Sequence, residues 1–473
     1  MIHMMHSNKI YLLVLCAFLP LISQQARFYY QPDSTTYVLP DVRHSYRFNA
    51  WPRPARADSN VLGLDMVASG QSGAISPYDN YEDGLYYLIS PFARYNFNSR
   101  LSMTLRVNVE NIRENYLYPD RRYWADTFAG HRGAYDVATI DYAGEYVSVK
   151  VGRDYLQPGV YLYENLLFSR FAYAHDQIRV SLHNRYLEIS SVYVSPTATR
   201  ENGLLYNRHI NAHRLSLRLP WGYMALNDVM IYGGVNQAMD IMAFNPLVFL
   251  YPYRKNKKHV DGNNLMSLEL YLKQSDYFLF AEALLDDYQA DRAVPTDLEP
   301  PEWGLNLTVG KINLIPDVLW KLNYTRVANR TFNAPDRTLE KYIDKNYPIG
   351  HWLGNNFWEI KTSFVYTPAP HWSTDITLSY LEYGEEALYA PFNRDYENYT
   401  VEQGYEENFP FGRIRSQAGV TVNSYYRFKE DWLVRGRLSY WPQNSILTNG
   451  FNAGLSLAYR FQLPLIGAGQ TEP

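Results

Sequence analysis

The stretch that decides the fold is GFNAGLSLAYRF, residues 450–461. One parity is apolar and the other is small, polar or charged: Phe451, Ala453, Leu455, Leu457, Tyr459 and Phe461 alternate with Asn452, Gly454, Ser456, Ala458 and Arg460. Successive side chains of a β-strand point to opposite faces. The stretch therefore predicts a strand with one apolar face and one polar face.

The same alternation recurs along the chain. It is found in LSMTLRVNVEN (residues 101–111), HRLSLRL (213–219), MSLELYLK (266–273) and the segment 415–426. No long stretch has the spacing of an amphipathic helix. After the N-terminus no apolar run reaches the roughly 18 residues of a transmembrane helix, and the mean hydropathy is -0.36. These features predict an all-β protein.

The connections between strands indicate which all-β class this is. Short polar or proline-containing links lie at residues 97–99, 274–276, 315–317, 367–371 and 429–431, and long polar segments lie at 112–135, 328–355 and 384–412. Short turns at one end and long loops at the other are typical of outer-membrane barrels. We predict a transmembrane β-barrel of about 18 antiparallel strands over residues 60–461. It would lie in a Gram-negative outer membrane, with its long loops extracellular.

Aromatic residues support a membrane-spanning strand length. The chain has 44 Tyr residues and is 16% aromatic. Three pairs lie eight residues apart on the apolar parity: Trp358 with Tyr366, Trp372 with Tyr380, and Trp432 with Tyr440. Eight strand residues cover about 20 Å along the axis of a tilted barrel, close to the lipid-facing band of about 25 Å. Each pair is expected to place one ring at each membrane interface.

Two features of the predicted barrel stay open: whether its lumen is filled with water or with protein, and the exact number of its strands. A barrel of this size encloses an aqueous lumen unless something fills it. Charged residues on the inward parity, such as Arg214 and Lys361, fit either a wet or a plugged lumen. The region 152–182 does not divide clearly into strands.

The two ends of the chain predict export. Residues 1–26 have a mildly basic start and an apolar core, as in a signal peptide. Residues 27–59 are expected to form an N-terminal periplasmic segment, and residues 462–473 a short periplasmic tail. The single cysteine, Cys16, falls within the signal peptide. The net charge of -4 and the absence of a basic tail argue against nucleic-acid binding.

The sequence contains no recognisable catalytic motif, although a barrel enzyme could assemble a site from residues far apart in the chain. There is no G-x-S-x-G elbow around Ser69 and Ser72 and no His-Glu-x-x-His run. The acidic residues Glu282, Asp286, Asp287 and Asp291 do not have the spacing of a known calcium loop. We therefore expect no enzyme activity, no cofactor and no metal.

The long loops carry a candidate binding surface. Aromatic faces stack on sugar rings while polar side chains bind hydroxyl groups. The candidate carbohydrate-binding residues are Tyr118, Tyr123, Trp124, His351, Trp352 and Tyr396. The alternative is that these rings pack the loops or form the interfacial girdle.

Several short motifs together resemble the Wzi capsule-assembly family of outer-membrane proteins. They are Gly152-Arg153-Asp154 with Pro158-Gly159, Asn207-Arg208 with His213-Arg214-Leu215, Asn245-Pro246, Glu282 with Asp286-Asp287-Tyr288, and Gly350-His351-Trp352-Leu353-Gly354. The resemblance implies an 18-stranded barrel with an occluded lumen. It also implies a lectin that helps to attach capsular or other surface polysaccharide, without catalysis.

The expected partners are surface polysaccharide, outer-membrane lipid including lipopolysaccharide, and the barrel-assembly machinery; the barrel is expected to be a monomer. The sequence departs from the family in two places. Leu156-Gln157 precede Pro158-Gly159, and residues 27–59 contain four prolines and lack helical periodicity. Three rival functions stay open: a porin-like channel for solutes or oligosaccharides, a barrel enzyme acting on lipid or glycan, and a structural subunit of an envelope complex.

Overall fold

The computed structural model describes residues 60–72, 84–110, 132–156, 159, 162–169, 172, 174–201, 203–256, 262–287, 298–335, 337–345, 347–385, 388–429, 431–442 and 450–465. Its strands, numbered in chain order, are β1 (Asn60–Ser72), β2 (Gly84–Asn96), β3 (Leu101–Glu110), β4 (Arg132–Ala143), β5 (Val147–Asp154), β6 (His175–His183), β7 (Leu187–Ser195), β8 (Thr199–Glu201), β9 (Leu204–Leu219), β10 (Gly222–Val235), β11 (Gly262–Gln274), β12 (Tyr277–Asp287), β13 (Glu302–Ile315), β14 (Val318–Val327), β15 (Ile343–Asp344), β16 (Tyr347–Pro348), β17 (Phe357–Ala369), β18 (Trp372–Tyr383), β19 (Arg415–Lys429), β20 (Trp432–Trp441) and β21 (Gly450–Leu465).

These strands form an 18-stranded closed antiparallel barrel, as the sequence predicts. Each of the 18 wall strands pairs with the next wall strand, so that β7 pairs with β9 and β14 with β17. β21 closes the barrel by pairing with β1 from Asn60 opposite Leu465 to Ser72 opposite Ala453. The short β8 extends the wall beyond β7 by pairing with the start of β9, and β15 and β16 form a separate hairpin. Closure leaves the sheet without an unpaired edge, which a membrane requires.

The two ends of the barrel differ in their connections. Turns of two to four residues join β2 to β3, β4 to β5, β6 to β7, β9 to β10, β11 to β12, β13 to β14, β17 to β18 and β19 to β20. The start of β1 and the end of β21 lie at this same end, because Asn60 pairs with Leu465. Short turns and termini mark the periplasmic end of such barrels. The longer connections all leave from the opposite end.

The outward face has the expected apolar and aromatic character. Tyr366, Trp372 and Tyr440 are exposed to the surroundings of the barrel. At the periplasmic end the rings of Tyr366 and Trp372 lie 6.3 Å apart, and those of Trp432 and Tyr459 lie 4.6 Å apart. At the extracellular end Trp358 packs on Tyr380 at 5.3 Å. These rings form cross-strand clusters at both ends, in agreement with the predicted pairs.

The structure corrects several boundaries. The last strand runs to Leu465, four residues beyond the end predicted at Phe461, because Gln462 to Leu465 continue the ladder with β1. β4 begins at Arg132, inside the long segment predicted at 112–135. The unclear region 152–182 contains the end of β5, a non-strand segment and most of β6. The predicted signal peptide, the segment 27–59 and residues 466–473 lie outside the described residues.

Helical elements are short. One α-helix, α1, covers Leu250–Asn256, and 3-10 helices cover Met242–Phe244, Thr338–Glu340 and Asp395–Asn398. In the described part of the chain, none of the helices has the length and apolar character needed to cross a membrane.

Candidate functional site

The described residues of the connection between β5 and β6, namely 155–156, 159, 162–169, 172 and 174, lie inside the barrel; we call them the lumen segment. Leu166, Leu167 and Phe168 are buried in the main hydrophobic cluster with residues of the barrel wall such as Val229 and Leu284. Tyr163 reaches across to β17, where its hydroxyl donates to Ser363 Oγ at 2.7 Å. The lumen is therefore occupied by the protein's own chain along β10 to β14 and β17.

A wall carboxylate holds the lumen segment in place. The backbone N–H groups of Leu166 and Leu167 donate to Glu282 Oε2 and Oε1 at 2.6 and 3.1 Å. Lys321 Nζ donates to the carbonyl of Leu162 at 2.9 Å. These bonds satisfy backbone groups that lack strand partners, which is necessary for irregular backbone in an interior.

The lumen segment also lies close to the wall in the periplasmic half of the barrel. Arg214 donates to Glu269 at 2.6 and 2.9 Å in a buried two-pronged ion pair. Gly159 lies beside this pair with a φ of +79°, and a Cβ there would come within 2.8 Å of Glu269 Oε2. The cavity left between the segment and the wall near Arg214 is only about 30 Å³, room for about one water molecule.

The connection between β14 and β17, residues 328–356, covers the lumen segment; we call it the cap loop. Ser169 N donates to Ile349 O at 2.8 Å, and His351 N donates to Leu166 O at 2.9 Å. Phe332 and Tyr342 are fully buried and stack at 5.7 Å. The cap loop and the lumen segment thus form one packed unit at the extracellular end.

The connection between β18 and β19, residues 384–414, is fastened onto the cap loop; we call it the upper loop. The buried guanidinium of Arg330 donates to both oxygens of Glu407 at 2.9 Å. Burial opposes this charge, but the hydrogen bond and the charge of Glu407 raise the pKa of Arg330 above its ordinary value. Burial, together with Glu407, raises the pKa of Tyr405 to about 12. Arg330 therefore stays protonated at physiological pH.

A polar cavity of about 390 Å³ opens at the extracellular rim; we call it the rim cavity. It lies where β7 ends at Ser195, before β8 resumes the pairing with β9 at Thr199. Its walls are Arg153, Ala174, His175, Asp176, Ser195, Pro196, Thr197, Ala198, Asn207, Arg208, His209, Asp344 and Lys345. This volume falls within the range of roughly 300–1,000 Å³ of small-ligand sites.

The charged groups of the rim cavity are held by one another. Arg153 forms a two-pronged pair with Asp176 at 2.7 and 2.8 Å. His175 Nε2 lies 3.3 Å from Asp344 Oδ2. Burial by itself would raise the pKa of Asp344. The nearby imidazole of His175 and the cations Arg208 and Lys345 outweigh burial, however, and lower that pKa below its ordinary value.

Hydrogen bonds between distant parts of the chain hold the floor of the rim cavity. Arg208 donates to the backbone carbonyls of Leu339, Lys341 and Ile343 at 3.0, 2.9 and 2.8 Å, which ties β9 to the cap loop. Thr197 N donates to Asp344 Oδ1 at 2.9 Å. Amide, hydroxyl, guanidinium and carboxylate groups therefore line one fixed concave surface. Such a surface suits a ligand rich in hydroxyl groups, because both donors and acceptors are present.

The structure buries or partly buries the described carbohydrate-binding candidates. His351 is fully buried against Phe357, at a ring distance of 4.7 Å, so its ring cannot contact a glycan outside the barrel. Trp352 packs against the main hydrophobic cluster. Tyr396 is half-buried and donates to Glu299 at 3.1 Å. Tyr118, Tyr123 and Trp124 lie outside the described residues. The described members do not form one exposed surface.

Most motif residues have positions that explain them structurally. Gly350 lies against the carbonyl of Leu166, where a Cβ would be 2.6 Å away, and Gly354 lies in the cap loop. Asp286 accepts from Phe332 N at 2.5 Å. Further motif residues also serve packing or ion pairing: Gly152 and Arg153 in β5, Asp154 with Lys150, Gly159 and Arg214 in the lumen, and His213, Asn245 and Pro246 on the outer wall. Pro158 and the side chain of Asp287 lie outside the described residues.

Of the four acidic residues singled out in the sequence, two have described side chains. Asp286 and Glu282 bind backbone amides of the cap loop and lumen segment. Within the described ranges, no group of three or more His, Cys, Asp or Glu side chains could hold a metal ion.

Comparison with known proteins identifies the fold. No protein-family model matches the sequence, and no curated protein matches it either. Among solved structures, the chain is similar to Wzi of Escherichia coli, described as an outer-membrane protein involved in group 1 capsule assembly and a carbohydrate-binding β-barrel. The identity is 12% and the TM-score 0.57, with 89% of this chain and 87% of that chain covered. The chain is an outer-membrane β-barrel.

Two further matches have lower TM-scores. OccAB4 of Acinetobacter baumannii has 12% identity and a TM-score of 0.48, with 87% of this chain and 100% of that chain covered. OpdK of Pseudomonas aeruginosa has 11% identity and a TM-score of 0.49, with 85% of this chain and 99% of that chain covered. At these identities the likeness concerns the fold alone. The 18-stranded wall and the likeness to Wzi place the chain in the Gram-negative outer membrane, with its long loops extracellular.

The rim cavity was missed by the sequence reasoning. Its residues come from β5, β6, β9, the connection after β7 and the cap loop, which are far apart in the chain. One signal was present, because Arg153 and Asn207-Arg208 belong to the motifs noted above. The motifs did not indicate that these residues share one cavity.

Proposed function

We propose that this outer-membrane barrel binds a surface polysaccharide at the rim cavity and helps to attach or assemble that polysaccharide at the cell surface, without transforming it. The observation that carries the proposal is the rim cavity itself, a concave site of about 390 Å³ at the extracellular end. Its lining offers hydrogen-bond donors and acceptors, with Asn207, Asp176 and Arg153 among them. A saccharide presents hydroxyl groups that need both.

Two further features favour binding over transport. The lumen segment occupies the interior along β10 to β14 and β17, and Glu282 holds it there. The cap loop and upper loop are fastened above it by the Arg330 ion pair. A rigid extracellular platform lowers the entropy cost of binding, because the site need not become ordered when the ligand arrives. The likeness to Wzi, described as carbohydrate-binding, agrees with this role.

The experiment that tests the cellular role compares retained and released polysaccharide. Deletion is expected to shift surface polysaccharide from the cell pellet to the medium. Wild-type protein should restore retention, and the double variant Asp176→Asn/Lys345→Gln should not. Both altered residues line the rim cavity. Unchanged retention after deletion would refute the attachment role.

A matched control makes the same chemical changes at the other end of the barrel. Asp276 lies in the turn between β11 and β12, and Lys311 lies over the ring of Tyr277 at the periplasmic end. The variant Asp276→Asn/Lys311→Gln should restore retention fully. Heat-modifiable migration in gels checks that both double variants are folded barrels.

The second candidate function is a channel for solutes or oligosaccharides. It is favoured by the charged inward residues of the wall, including Arg106 and Arg460, which both pair with Asp65. Planar-bilayer recording separates the two functions. The binding role predicts no large steady current from the wild-type barrel, and a large steady current would favour the channel.

A further inference from the structure

The rim cavity lies between two separate parts of the protein. One side belongs to the barrel wall and to the connection after β7, with Asp176 and Asn207 among its residues. The other side consists of Asp344 and Lys345, which belong to the cap loop. A ligand that fills the cavity therefore contacts the wall and the cap loop at once. We call the arrangement in which the cap loop lies on the wall the seated state, because only this state contains the complete cavity.

Residues that line the rim cavity also fasten the cap loop to the wall. Arg208 of β9 donates to the cap-loop carbonyls of Leu339 and Ile343 at 3.0 and 2.8 Å. From the other side, Thr197 N donates to Asp344 Oδ1 at 2.9 Å. Arg208, Thr197 and Asp344 all line the cavity. The seated state of the cap loop and the shape of the rim cavity therefore depend on the same hydrogen bonds.

The cap loop in turn holds the lumen segment. Only five positions after Asp344, the carbonyl of Ile349 accepts a hydrogen bond from Ser169 N at 2.8 Å. His351 N donates to Leu166 O at 2.9 Å. The same short stretch of the cap loop therefore begins at the rim cavity and ends on the lumen segment. Displacement of the cap loop from the wall breaks the hydrogen bonds that cover the lumen segment.

The lumen segment is bound to the inner face of the wall at polar points. Lys321 Nζ donates to Leu162 O at 2.9 Å, and the side chain of Asn306 donates to the carbonyl of Glu164. Glu282 accepts from the backbone on the same side of the lumen. Water can replace hydrogen bonds of this kind when the segment is displaced. A displaced lumen segment therefore leaves an aqueous lumen, as expected for an unfilled barrel of this size.

We propose that saccharide bound in the rim cavity keeps the lumen closed, because it stabilises the seated cap loop and, through the cap loop, the lumen segment. The inference rests on the proposed function, since it takes a surface saccharide as the ligand of the rim cavity. A ligand shifts a conformational equilibrium by the difference in its affinity for the two states. Here the difference arises because Asp344 and Lys345 reach the ligand in the seated state alone. The barrel is thus closed most firmly when it carries saccharide.

The size of the effect follows from mass action. A ligand that binds the seated state alone makes the open state about 100-fold rarer when its free concentration is about 100 times its Kd. Coupling between two sites is also reciprocal. A substitution that loosens the lumen segment must therefore weaken saccharide binding at the rim cavity, although the two sites share no residue.

The first measurement is amide hydrogen exchange of the wild-type barrel in lipid vesicles. The probe is oligosaccharide released from the surface polysaccharide of its own cells. Residues 162–169 are described and none of them lines the rim cavity, so the ligand does not shield their amides directly. We expect exchange there to slow about 100-fold at about 100 times Kd, with no change in the periplasmic turn 274–276. Unchanged or faster exchange at 162–169 in a barrel that binds the oligosaccharide would overturn the coupling and leave the proposed function standing. No binding at all would refute both.

The second measurement is the affinity of two variants for the same oligosaccharide. Glu282→Ala removes the acceptor of the Leu166 and Leu167 amides, far from the residues of the rim cavity. It should bind at least about threefold more weakly, because a smaller fraction of the barrels is seated. The matched control Glu188→Ala removes a carboxylate that pairs with Arg218 within the wall at 2.5 Å, and it should bind like wild type. Heat-modifiable migration checks folding, and Glu282→Gln replaces Glu282→Ala where the latter does not fold. Equal affinity of the two variants would overturn the coupling.

Discussion

The guanidinium of Arg330 and the carboxylate of Glu407 form an ion pair with Nη1 to Oε1 and Nη2 to Oε2 distances of 2.9 Å. The Arg330 side chain is fully buried, and the Glu407 side chain is 14% exposed. This pair joins the cap loop to the upper loop across 77 positions of sequence. The extracellular platform that holds the rim cavity depends on contacts of this kind.

Removing the acid of this pair should loosen the upper loop. Glu407→Gln leaves the buried cation of Arg330 without an anion, which costs on the order of 3 kcal/mol for a buried pair. We expect faster protease cleavage within residues 384–414 and an unchanged heat-modifiable barrel. The exposed pair of Arg394 and Glu397 at 3.3 Å provides the control, and Glu397→Gln should cost less than about 1 kcal/mol. Equal cleavage of both variants would contradict this expectation.

Removing Glu282 should release the lumen segment. Glu282→Ala leaves the N–H groups of Leu166 and Leu167 without their acceptors in a buried site, at a cost of about 1–3 kcal/mol for each. We expect faster amide hydrogen exchange in residues 162–169 and a rise in bilayer conductance. Glu282→Gln retains one acceptor oxygen and should give an intermediate effect. A conductance and an exchange rate like those of wild type in Glu282→Ala would show that this carboxylate does not hold the segment.

Alanine substitutions at Gly159 and Gly203 distinguish the cost of steric crowding from the cost of backbone strain. Both have a left-handed φ, of +79° and +80°. A Cβ at Gly159 would come within 2.6 Å of the Tyr223 hydroxyl, whereas a Cβ at Gly203 would have no atom within 4 Å. Gly203→Ala should therefore cost only the strain of a left-handed residue, about 1 kcal/mol. Gly159→Ala should cost more in urea unfolding from lipid vesicles. Equal losses would mean that the lumen segment adjusts freely beside Arg214.

Acid should weaken the rim cavity through Asp344. Its folded-state pKa lies below the unfolded value of about 3.9. The stabilisation is therefore complete above the unfolded pKa and is lost as the pH falls below it toward the folded pKa. Asp344→Asn should flatten the decrease in the free energy of unfolding between about pH 5 and pH 2. Asp276→Asn, in a periplasmic turn, should keep the slope of wild type. An equal slope for wild type and Asp344→Asn would contradict the prediction.

The barrel wall could be predicted from sequence because its signal is local. A strand of alternating parity sets which residues face lipid, so β21 with Leu455 outward and Arg460 inward was found directly. Its end at Leu465 was missed, because the pairing partner β1, and not the terminal aromatic, decides where the ladder stops. The lengths of the turns likewise predicted which end of the barrel is periplasmic.

The site could not be predicted in the same way, because loop placement depends on contacts between distant parts of the chain. Nothing near His351 indicates that the cap loop turns its ring inward onto Phe357. The same holds for the rim cavity, which Arg153 and Asp344 both line although they are 191 positions apart in the sequence. His213 begins the alternating stretch 213–219, and only the structure shows that the connection between β10 and β11 lies over it, with Val248 O at 3.0 Å from His213 Nδ1.

The central claim is that the rim cavity binds surface saccharide, and calorimetric titration tests it most directly. The purified barrel is titrated with oligosaccharides released from the surface polysaccharide of its own cells. We predict saturable binding by wild type and by Asp276→Asn/Lys311→Gln. Asp176→Asn/Lys345→Gln should bind at least about tenfold more weakly, since a hydrogen bond to a charged group contributes about 1.5–3 kcal/mol. Equal affinity in all three proteins, or no binding by wild type, would contradict the account.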